Sequence, residues 1–288
     1  MRYFFKSINL IGDALNISPA WRQWLKTRGV NSLQDEIYMQ TLPDHAAPLY
    51  QGMVRDLVKI QTVFEKPEGE FDFEHTFDVN KAFKLCDEKK CHIADAYAKL
   101  LGVKLEGAND RLKPTYIVDE SLLPVEVDEL NGCMLISMFS ASCTSRDPKI
   151  GIPNKMLPWA KWKPMIRYLR EKFADTPIRF LGAPNDIIPD ELKEFITGDT
   201  GAMFGIPQNT LAHIMKHAKL VVTIDNGMSH LTASQEARTF LMYPKCLGTH
   251  YILPIGNPNL AWVQMNPIFV NPAQLLFGLK NAIKRFKL

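Results

Sequence analysis

Short apolar runs and amphipathic stretches alternate along the second half of the chain. The apolar runs have the length of buried strands and lie at residues 134–139, 178–181, 220–224 and 239–242. Between and after them, apolar side chains recur at helical spacing over residues 158–173, 209–217 and 272–286. This alternation is typical of βαβ units, so the pattern predicts a parallel sheet flanked by helices.

The first half of the chain shows a weaker pattern of the same kind. A strand is predicted at residues 3–8, a turn at Gly12, and a helix over residues 19–26 that ends at Gly29. A further helix is predicted over residues 92–101. These elements indicate a second, less regular α/β unit.

The region between the two halves suggests a domain boundary. Residues 106–131 are rich in Pro, Asp and Glu, and no strand is evident among them. The chain has 288 residues, of which 46% are hydrophobic, which is enough apolar material for two cores. We therefore expect two domains, residues 1–130 and 131–288.

Charge and hydropathy exclude several classes of function. Lys and Arg total 34 against 31 for Asp and Glu, and a net charge of +3 is too small for a dedicated nucleic-acid binder. A nucleic-acid partner is therefore not expected. No apolar run reaches the roughly 20 residues that a membrane-spanning helix needs. The amino terminus lacks the pattern of a signal peptide, which favours a cytoplasmic location.

Familiar catalytic motifs are missing from the sequence. It contains no G-x-G-x-x-G after a strand, no G-x-x-x-x-G-K-[ST], no H-E-x-x-H and no G-x-S-x-G. Dinucleotide oxidoreductases, P-loop kinases, zinc proteases and α/β-hydrolases are thereby disfavoured. A metal-bridging D-x-D is also missing, so neither a metal site nor a cofactor is expected.

The first of two predicted strand-to-helix turns contains an aspartate. The strand at residues 3–8 is followed by Gly12 and Asp13. A carboxylate in this position stabilises the start of a helix, as a cap or through the helix dipole. It also lies at the carboxyl edge of a parallel sheet, where ligands bind and where it can accept a proton from a hydroxyl. Position alone favours the capping interpretation.

The second turn follows the apolar strand at residues 220–224. It consists of Asp225, Asn226, Gly227, Met228, Ser229 and His230. Residues 227–230 are predicted to form the first turn of a helix, whose unpaired N–H groups attract an anion such as a diphosphate. The side chains of Ser229 and His230 would add hydrogen bonds. An alternative, with Asp225 as a cap and His230 packed in the core, agrees equally well with this turn alone.

These two turns resemble those of glycosyltransferase family 9, which contains the heptosyltransferases. Residues 12–20 resemble the family's G-D-x-x-x-x-x-P-A segment, and the resemblance implies that Asp13 is the catalytic base and that Gly12 supports the loop. Residues 225–231 resemble its D-[ST]-G-x-x-H-L turn, with Asn226 in place of the usual hydroxyl residue. The resemblance implies that residues 225–230 bind the donor.

Three further segments resemble the same family. Residues 144–147 are similar to its T-T-R-D phosphate loop, and residues 155–162 to its K-x-W-P-x-x-x-W segment. The resemblance implies phosphate contacts from Thr144, Ser145 and either Lys149 or Lys155. The second lysine is preferred because the Pro and Trp that follow it keep the register. Residues 181–186 resemble a G-x-P-x-E segment and imply that Asp186 contacts the donor nucleoside.

The family has the GT-B architecture, so the resemblance implies an α/β fold of two Rossmann-like domains that face a central cleft. The first domain would bind the acceptor and the second the donor. The implied reaction is inverting, metal-independent transfer of a sugar, heptose in this family, from ADP-heptose or a similar nucleotide sugar to a hydroxyl of a glycan or glycolipid. Two alternatives stay open: transfer to an acceptor other than lipopolysaccharide, and a catalytically silent relative that only binds a nucleotide sugar.

The last predicted helix, residues 272–286, combines an apolar stripe with several basic residues. In this architecture the last helix crosses back to the first domain, and the narrow apolar stripe favours packing. The basic residues offer an alternative, peripheral contact with anionic lipid at the inner face of a membrane.

Overall fold

The computed structural model describes residues 1–7, 11–41, 47–140, 157–184, 186–188, 190–195, 202–244, 249–266 and 269–288. These residues form two compact units, Met1–Leu123 with His250–Asn257, and Pro124–Thr249 with Pro258–Leu288. The boundary falls earlier than residue 130 because the 3-10 helix Val125–Leu130 packs against a helix of the second unit and buries Val127.

The first unit is built on a parallel sheet. Its strands are β1 (Arg2–Lys6), β2 (Glu36–Gln40), β3 (Gln61–Val63) and β4 (Phe73–Thr76), in the order β3-β2-β1-β4. Strand β1 pairs with β2 on one side and β4 on the other. The three middle residues of β1 are buried, as expected for a central strand of a parallel sheet.

The helices of the first unit pack aromatic side chains against this sheet. They are α1 (Ile11–Arg28), α2 (Ala47–Val54), α3 (Val79–Lys89) and α4 (Ile93–Leu100), with 3-10 helices at Asn109–Leu112 and Glu120–Leu122. Phe5 of β1 meets the rings of Trp21 and Trp24 edge-on, at centroid distances of 5.5 and 5.3 Å. Both tryptophans are buried, so these contacts fix α1 on the sheet.

Helix α1 starts earlier than the pattern predicts. Gly12, predicted to form a turn, is the second residue of the helix, and Pro19, predicted to start it, lies inside. Pro19 lacks the N–H that would bond to the Leu15 carbonyl, and Ser18 Oγ donates to that carbonyl instead, at 2.7 Å. Ser18 Oγ also accepts from Thr115 N at 2.7 Å. One buried hydroxyl thus keeps the helix continuous and binds a neighbouring segment.

The second unit contains a longer parallel sheet. Its strands are β5 (Met134–Ser137), β6 (Ile178–Gly182), β7 (Ala202–Phe204), β8 (Leu220–Ile224), β9 (Thr239–Pro244) and β10 (Leu260–Met265), in the order β10-β9-β8-β5-β6-β7. Every residue of β8 and β9 is buried, because helices cover both faces. The strand order reverses between β5 and β8, as in doubly wound folds.

The helices in the second half of the chain are α5 (Trp159–Lys172), α6 (Asp190–Lys193), α7 (Gln208–His217), α8 (Gly227–Ser234), α9 (Thr249–Ile252) and α10 (Pro272–Arg285). The predicted α/β class is confirmed, with a Rossmann-like parallel sheet in each unit. Strands β7 and β10 were not indicated by the pattern of apolar residues. Among the helices described, none combines the length and apolar character needed to cross a membrane.

The last helix, α10, packs within the second unit, against α5, β9 and β10. Its buried side chains include Leu275, Leu279 and Ile283. The sequence predicted that this helix crosses back to the first domain. The helix belongs to the second unit instead, because its apolar stripe is already covered by the second sheet. Residues 250–257 are the part of the second half that belongs to the first unit.

Buried His92, the N-cap of α4, holds residues 250–257 in the first unit. Its Nδ1 accepts from Ala94 N at 3.2 Å, and its Nε2 lies 3.1 Å from the Leu253 carbonyl oxygen. A neutral ring with its proton on Nε2 makes both bonds, whereas a charged ring has no acceptor for Ala94 N. Burial lowers the pKa of His92 to about 4, so the ring is neutral at pH 7.

We expect His92 to make unfolding pH-dependent. The ring's pKa is about 4 in the folded protein and 6.5 when unperturbed, so stability is full above about pH 6.5 and falls as pH drops towards 4. Between about pH 7.5 and about pH 5, the free energy of unfolding should drop by roughly 2 kcal/mol more in the wild type than in His92→Asn. Asparagine still caps the helix but does not titrate.

Urea unfolding at the two pH values measures this difference. His217→Asn, at an exposed position of α7, is the control, because it also replaces a histidine by asparagine but leaves the contacts of His92 intact. An identical pH dependence in the wild type and His92→Asn would show that this ring is not the titrating group.

Candidate functional site

The carboxyl ends of β5 and β8 lie side by side where the strand order of the second sheet reverses. The two strands are parallel, with Ser137 opposite Thr223. The chain continues from β5 to β6 on one side and from β8 to β9 on the other, so the loops leaving these two strands turn away from each other. Open α/β sheets bind their ligands at this switch point.

The loop after β8 leads directly into α8. Asp225 is buried, and Asn226 is the N-cap of the helix. Asn226 Oδ1 accepts from Ser229 N at 3.2 Å, so the earlier N–H groups, of Gly227 and Met228, remain at the tip of the helix. The helix dipole adds partial positive charge there, which allows an anion to bind. The predicted strand, turn and helix are confirmed, and the cap is Asn226 rather than Asp225.

The Asn226 side chain also joins this loop to the loop after β5. Its Nδ2 donates to Ser137 Oγ at 2.9 Å and to the Phe139 carbonyl at 2.7 Å. A serine or threonine has a single donor and cannot make both bonds while capping the helix. Asn226, which in the sequence is only a departure from the family motif, therefore holds the two sides of the switch point together. Sequence reasoning missed both of its partners.

Ser229 and His230 are buried beneath the turn. Ser229 Oγ donates to the Asn226 carbonyl at 2.7 Å. A fully buried O–H requires an internal acceptor, and this one has the Asn226 carbonyl. The predicted contact of the Ser229 hydroxyl with a diphosphate stays a prediction. Gly227 and Met228 are the partly exposed residues of this first helical turn.

Asp186 closes a turn after β6. Its Oδ2 accepts from Ala183 N at 2.6 Å, and its own N–H donates to the Ala183 carbonyl at 3.0 Å. A Cβ at Gly182 would come within 2.8 Å of both Asp186 Oδ2 and the Phe204 ring, so only glycine leaves room for the carboxylate to fold back. Asp186 is partly exposed and keeps acceptor capacity for a ligand hydroxyl.

Three aromatic side chains near this turn were not assigned to the site from the sequence: Phe139, Trp159 and Phe204. The Phe139 ring lies 5.8 Å from Phe204, edge-on, and 6.1 Å from Trp159. All three are partly buried and form an apolar wall close to Gly182. Phe204 was missed because β7 has only three residues, too few to give a periodic signal.

Asp13 lies in the first unit, at the third position of α1, and is partly exposed. Because the helix begins at Ile11, Asp13 lies inside the first helical turn and is not the N-cap that its position in the sequence favoured. Burial, with a contribution from the nearby Asp13 carboxylate, raises the pKa of Tyr97 far above its ordinary value. Helix α1 packs against α4, which carries Tyr97, so the Asp13 carboxylate acts on that hydroxyl across the helix pair.

The other predicted phosphate contacts lie outside the described residues: Thr144, Ser145, Lys149 and Lys155. They stay predictions. Within the described part of the chain, no group of three or more His, Cys, Asp and Glu side chains is arranged to hold a metal ion.

Two parallel sheets, each with its helices, define a Rossmann-like α/β protein, and solved structures share this fold along the whole chain. The glycosyltransferase family 9 structure from Veillonella parvula has a TM-score of 0.69 at 14% identity, covering 99% of this chain and 97% of that one. Escherichia coli ADP-heptose lipopolysaccharide heptosyltransferase II has a TM-score of 0.63 at 12% identity, covering 100% of both chains. E. coli heptosyltransferase WaaC with ADP has a TM-score of 0.57 at 15% identity, covering 99% and 97%.

Sequence comparison alone does not reach these proteins. No protein-family model matches the chain, and no curated protein sequence matches it. The resemblance to family 9 is therefore confirmed at the level of the fold. The function has to be argued from the residues at the site.

We expect Asn226→Ser to lower the free energy of unfolding by about 1–2 kcal/mol, because the Phe139 carbonyl and Ser137 lose their donor while serine still caps α8. Asn271→Ser is the matched control. Asn271 caps α10 by accepting from Ala273 N and is exposed, so its replacement should be nearly neutral. Urea unfolding of both variants gives the comparison, and equal losses would show that the bridge to β5 adds no stability.

Proposed function

We propose that the protein is an inverting glycosyltransferase that moves a sugar from a nucleotide diphosphate donor to an acceptor hydroxyl. The observation that carries this proposal is the helix start capped by Asn226, which lies at the switch point of a fold shared with family 9 structures over the whole chain. The WaaC structure contains ADP, and the heptosyltransferase TibC structure contains ADP-D-β-D-heptose. These ligands support an ADP-sugar, and ADP-heptose in particular, as the donor.

The donor diphosphate binds at the amino end of α8 in this proposal. The N–H groups of Gly227 and Met228 and the helix dipole supply donors and positive charge without a metal. Thr144, Ser145 and a lysine, Lys155 in preference to Lys149, complete the phosphate contacts implied by the family resemblance. Charge on the leaving diphosphate grows as the glycosidic bond breaks, so these groups stabilise the transition state more than the bound substrate.

The donor nucleoside lies beside the turn after β6. The Asp186 carboxylate accepts from a ribose hydroxyl, and its fixed bond to Ala183 N keeps it in place for that contact. The rings of Phe139 and Phe204 offer an apolar wall to the base. This assignment gives a role to two of the three aromatic residues that were not assigned to the site from the sequence.

Asp13 acts as the general base. As the acceptor oxygen attacks the anomeric carbon, its proton passes to the Asp13 carboxylate, and the nucleoside diphosphate leaves with the electron pair of the broken bond. Attack from the side opposite to the leaving group inverts the configuration. The acceptor is a glycan or glycolipid hydroxyl.

A panel of nucleotide sugars tests the reaction. The protein should release nucleoside diphosphate from an ADP-sugar when a glycan or glycolipid acceptor is present, and the new bond should have inverted anomeric configuration by NMR. Binding of the donor without release under any condition would indicate a silent nucleotide-sugar-binding protein. Retention of configuration would exclude the direct displacement.

We expect Asp13→Asn to reduce kcat at least 100-fold and to change the dissociation constant of the donor less than about threefold, because the base acts on the acceptor proton. Asp87→Asn, at an exposed position of α3, is the control and should have wild-type kcat. Turnover close to wild type in Asp13→Asn would leave Asp13 with only a structural role.

We expect full activity after treatment with EDTA, since the proposed phosphate site consists of N–H groups and cationic side chains. The measurement is the initial rate with and without the chelator, followed by readdition of Mg²⁺. A rate that falls with EDTA and recovers with Mg²⁺ would contradict this part of the proposal.

A further inference from the structure

Charge is distributed unevenly along the chain. Acidic and basic residues are nearly balanced overall, at 31 and 34, yet residues 237–288 contain neither Asp nor Glu. The cations of this segment are Arg238, Lys245, Lys280, Lys284, Arg285 and Lys287. Most of them lie on or directly after α10, so the charged residues of this helix are all cations although the whole chain is nearly balanced.

Helix α10 has one face towards the core and one towards solvent. Leu275 and Leu279 are buried, whereas Phe277 is 67% exposed. Lys280 and Lys284 follow Phe277 by three and seven residues, so all three lie on the outward face of the helix. A large, mostly exposed aromatic ring one turn before these lysines adds little to the core and marks a contact surface.

The edge strand β10 places a second aromatic side chain beside this helix. Trp262 is 45% exposed and lines an open groove together with Phe277, Gln264 and Arg285. No acidic residue of the described chain lines this groove. Arg285 donates to the Leu260 carbonyl at 2.8 Å, which ties α10 to β10 and keeps a cation at the edge of the groove.

We propose that this surface, the basic aromatic face formed by Trp262, Phe277, Lys280, Lys284 and Arg285, binds the surface of an anionic lipid bilayer. Aromatic rings settle at the level of the lipid headgroups, and neighbouring cations attract anionic headgroups. A carboxylate within the face would weaken both the placement of the rings among the headgroups and the attraction to anionic lipid. This is a physical reason for the absence of Asp and Glu from residues 237–288. This binding is independent of the proposed glycosyl transfer.

Two other partners fit the face less well. A second copy of the chain, related by two-fold symmetry, would bring like cations together with no acidic residue among them. A nucleic acid would require a continuous basic path for its phosphates, whereas much of the lining of this groove is apolar and includes Trp262, Val263 and Phe277. Exposed Phe269, next to groove residue Val270, extends the apolar surface that a bilayer would accept.

Sedimentation of the full chain with lipid vesicles tests the proposal. We expect binding to vesicles of phosphatidylcholine mixed with phosphatidylglycerol, much weaker binding to phosphatidylcholine alone, and a decline as salt is raised. Tryptophan fluorescence gives a second readout, because Trp21, Trp24 and Trp162 are fully buried, Trp159 is partly buried and only Trp262 is exposed. Brominated lipids should quench the wild type, and Trp262→Phe should remove most of that quenching.

Two substitutions separate the contributions of the ring and the charge. Phe277→Ser should reduce partitioning into anionic vesicles roughly tenfold or more, and Lys284→Glu roughly fivefold or more. Both positions are exposed, so neither change should shift the unfolding midpoint. The matched controls lie in the first unit: Phe64→Ser, at a position 64% exposed, and Lys104→Glu should both bind vesicles like the wild type.

Several results would overturn the proposal. One is equal sedimentation with neutral and anionic vesicles, or none with either. Another is wild-type binding by both Phe277→Ser and Lys284→Glu. A third is a different partner, seen as a dimer that Phe277→Ser dissociates in the absence of lipid, or as preferential binding of a single-stranded oligonucleotide.

Discussion

The side chain of Asn226 is the contact on which the candidate site depends most directly. Its oxygen caps α8, and its nitrogen binds both Ser137 and Phe139 at the end of β5. The cap satisfies one N–H of the first turn and leaves the earlier ones at the tip of the helix, while the two donated bonds hold the neighbouring loop beside them. An amide is the side-chain group that supplies an acceptor and two donors at once, so few residue types preserve this turn.

The buried strands beneath the turn are the reason that polar groups gather there. Strand β8 is covered on both faces, so the polar residues that follow it emerge at the carboxyl edge of the sheet, next to the end of β5. The first unit has the same local order, with strand β1 followed by α1 and Asp13 in the first helical turn. Each unit therefore presents a polar group at the helix that follows a central strand, where parallel sheets bind ligands.

Positive potential has two separate sources in the second unit. At α8 it comes from backbone N–H groups and the helix dipole, which act within about one helical turn and suit a compact anion held at one place. At α10 it comes from Lys280, Lys284 and Arg285, whose charges cover a wider surface without carboxylates between them. Helix α10 can serve this surface because its packing uses the opposite face, with Leu275 and Leu279 in the core.

Local sequence was sufficient to predict the α/β class, most strands and helices of the second unit, and the turn after β8. These features depend on apolar periodicity and turn chemistry, which involve residues only a few positions apart. Long-range contacts set the rest. Ser18 Oγ accepts from Thr115 N 97 residues away, which joins α1 to a distant segment. Asn226 binds partners at the end of β5 and in the loop after it, 89 and 87 residues away. Such pairings do not produce a periodic pattern of residues in the sequence, so they cannot be predicted from it. The bonding of a hydroxyl such as that of Ser229 also depends on its burial, because a buried hydroxyl needs a partner inside the protein. Burial is decided only when elements distant in sequence pack together.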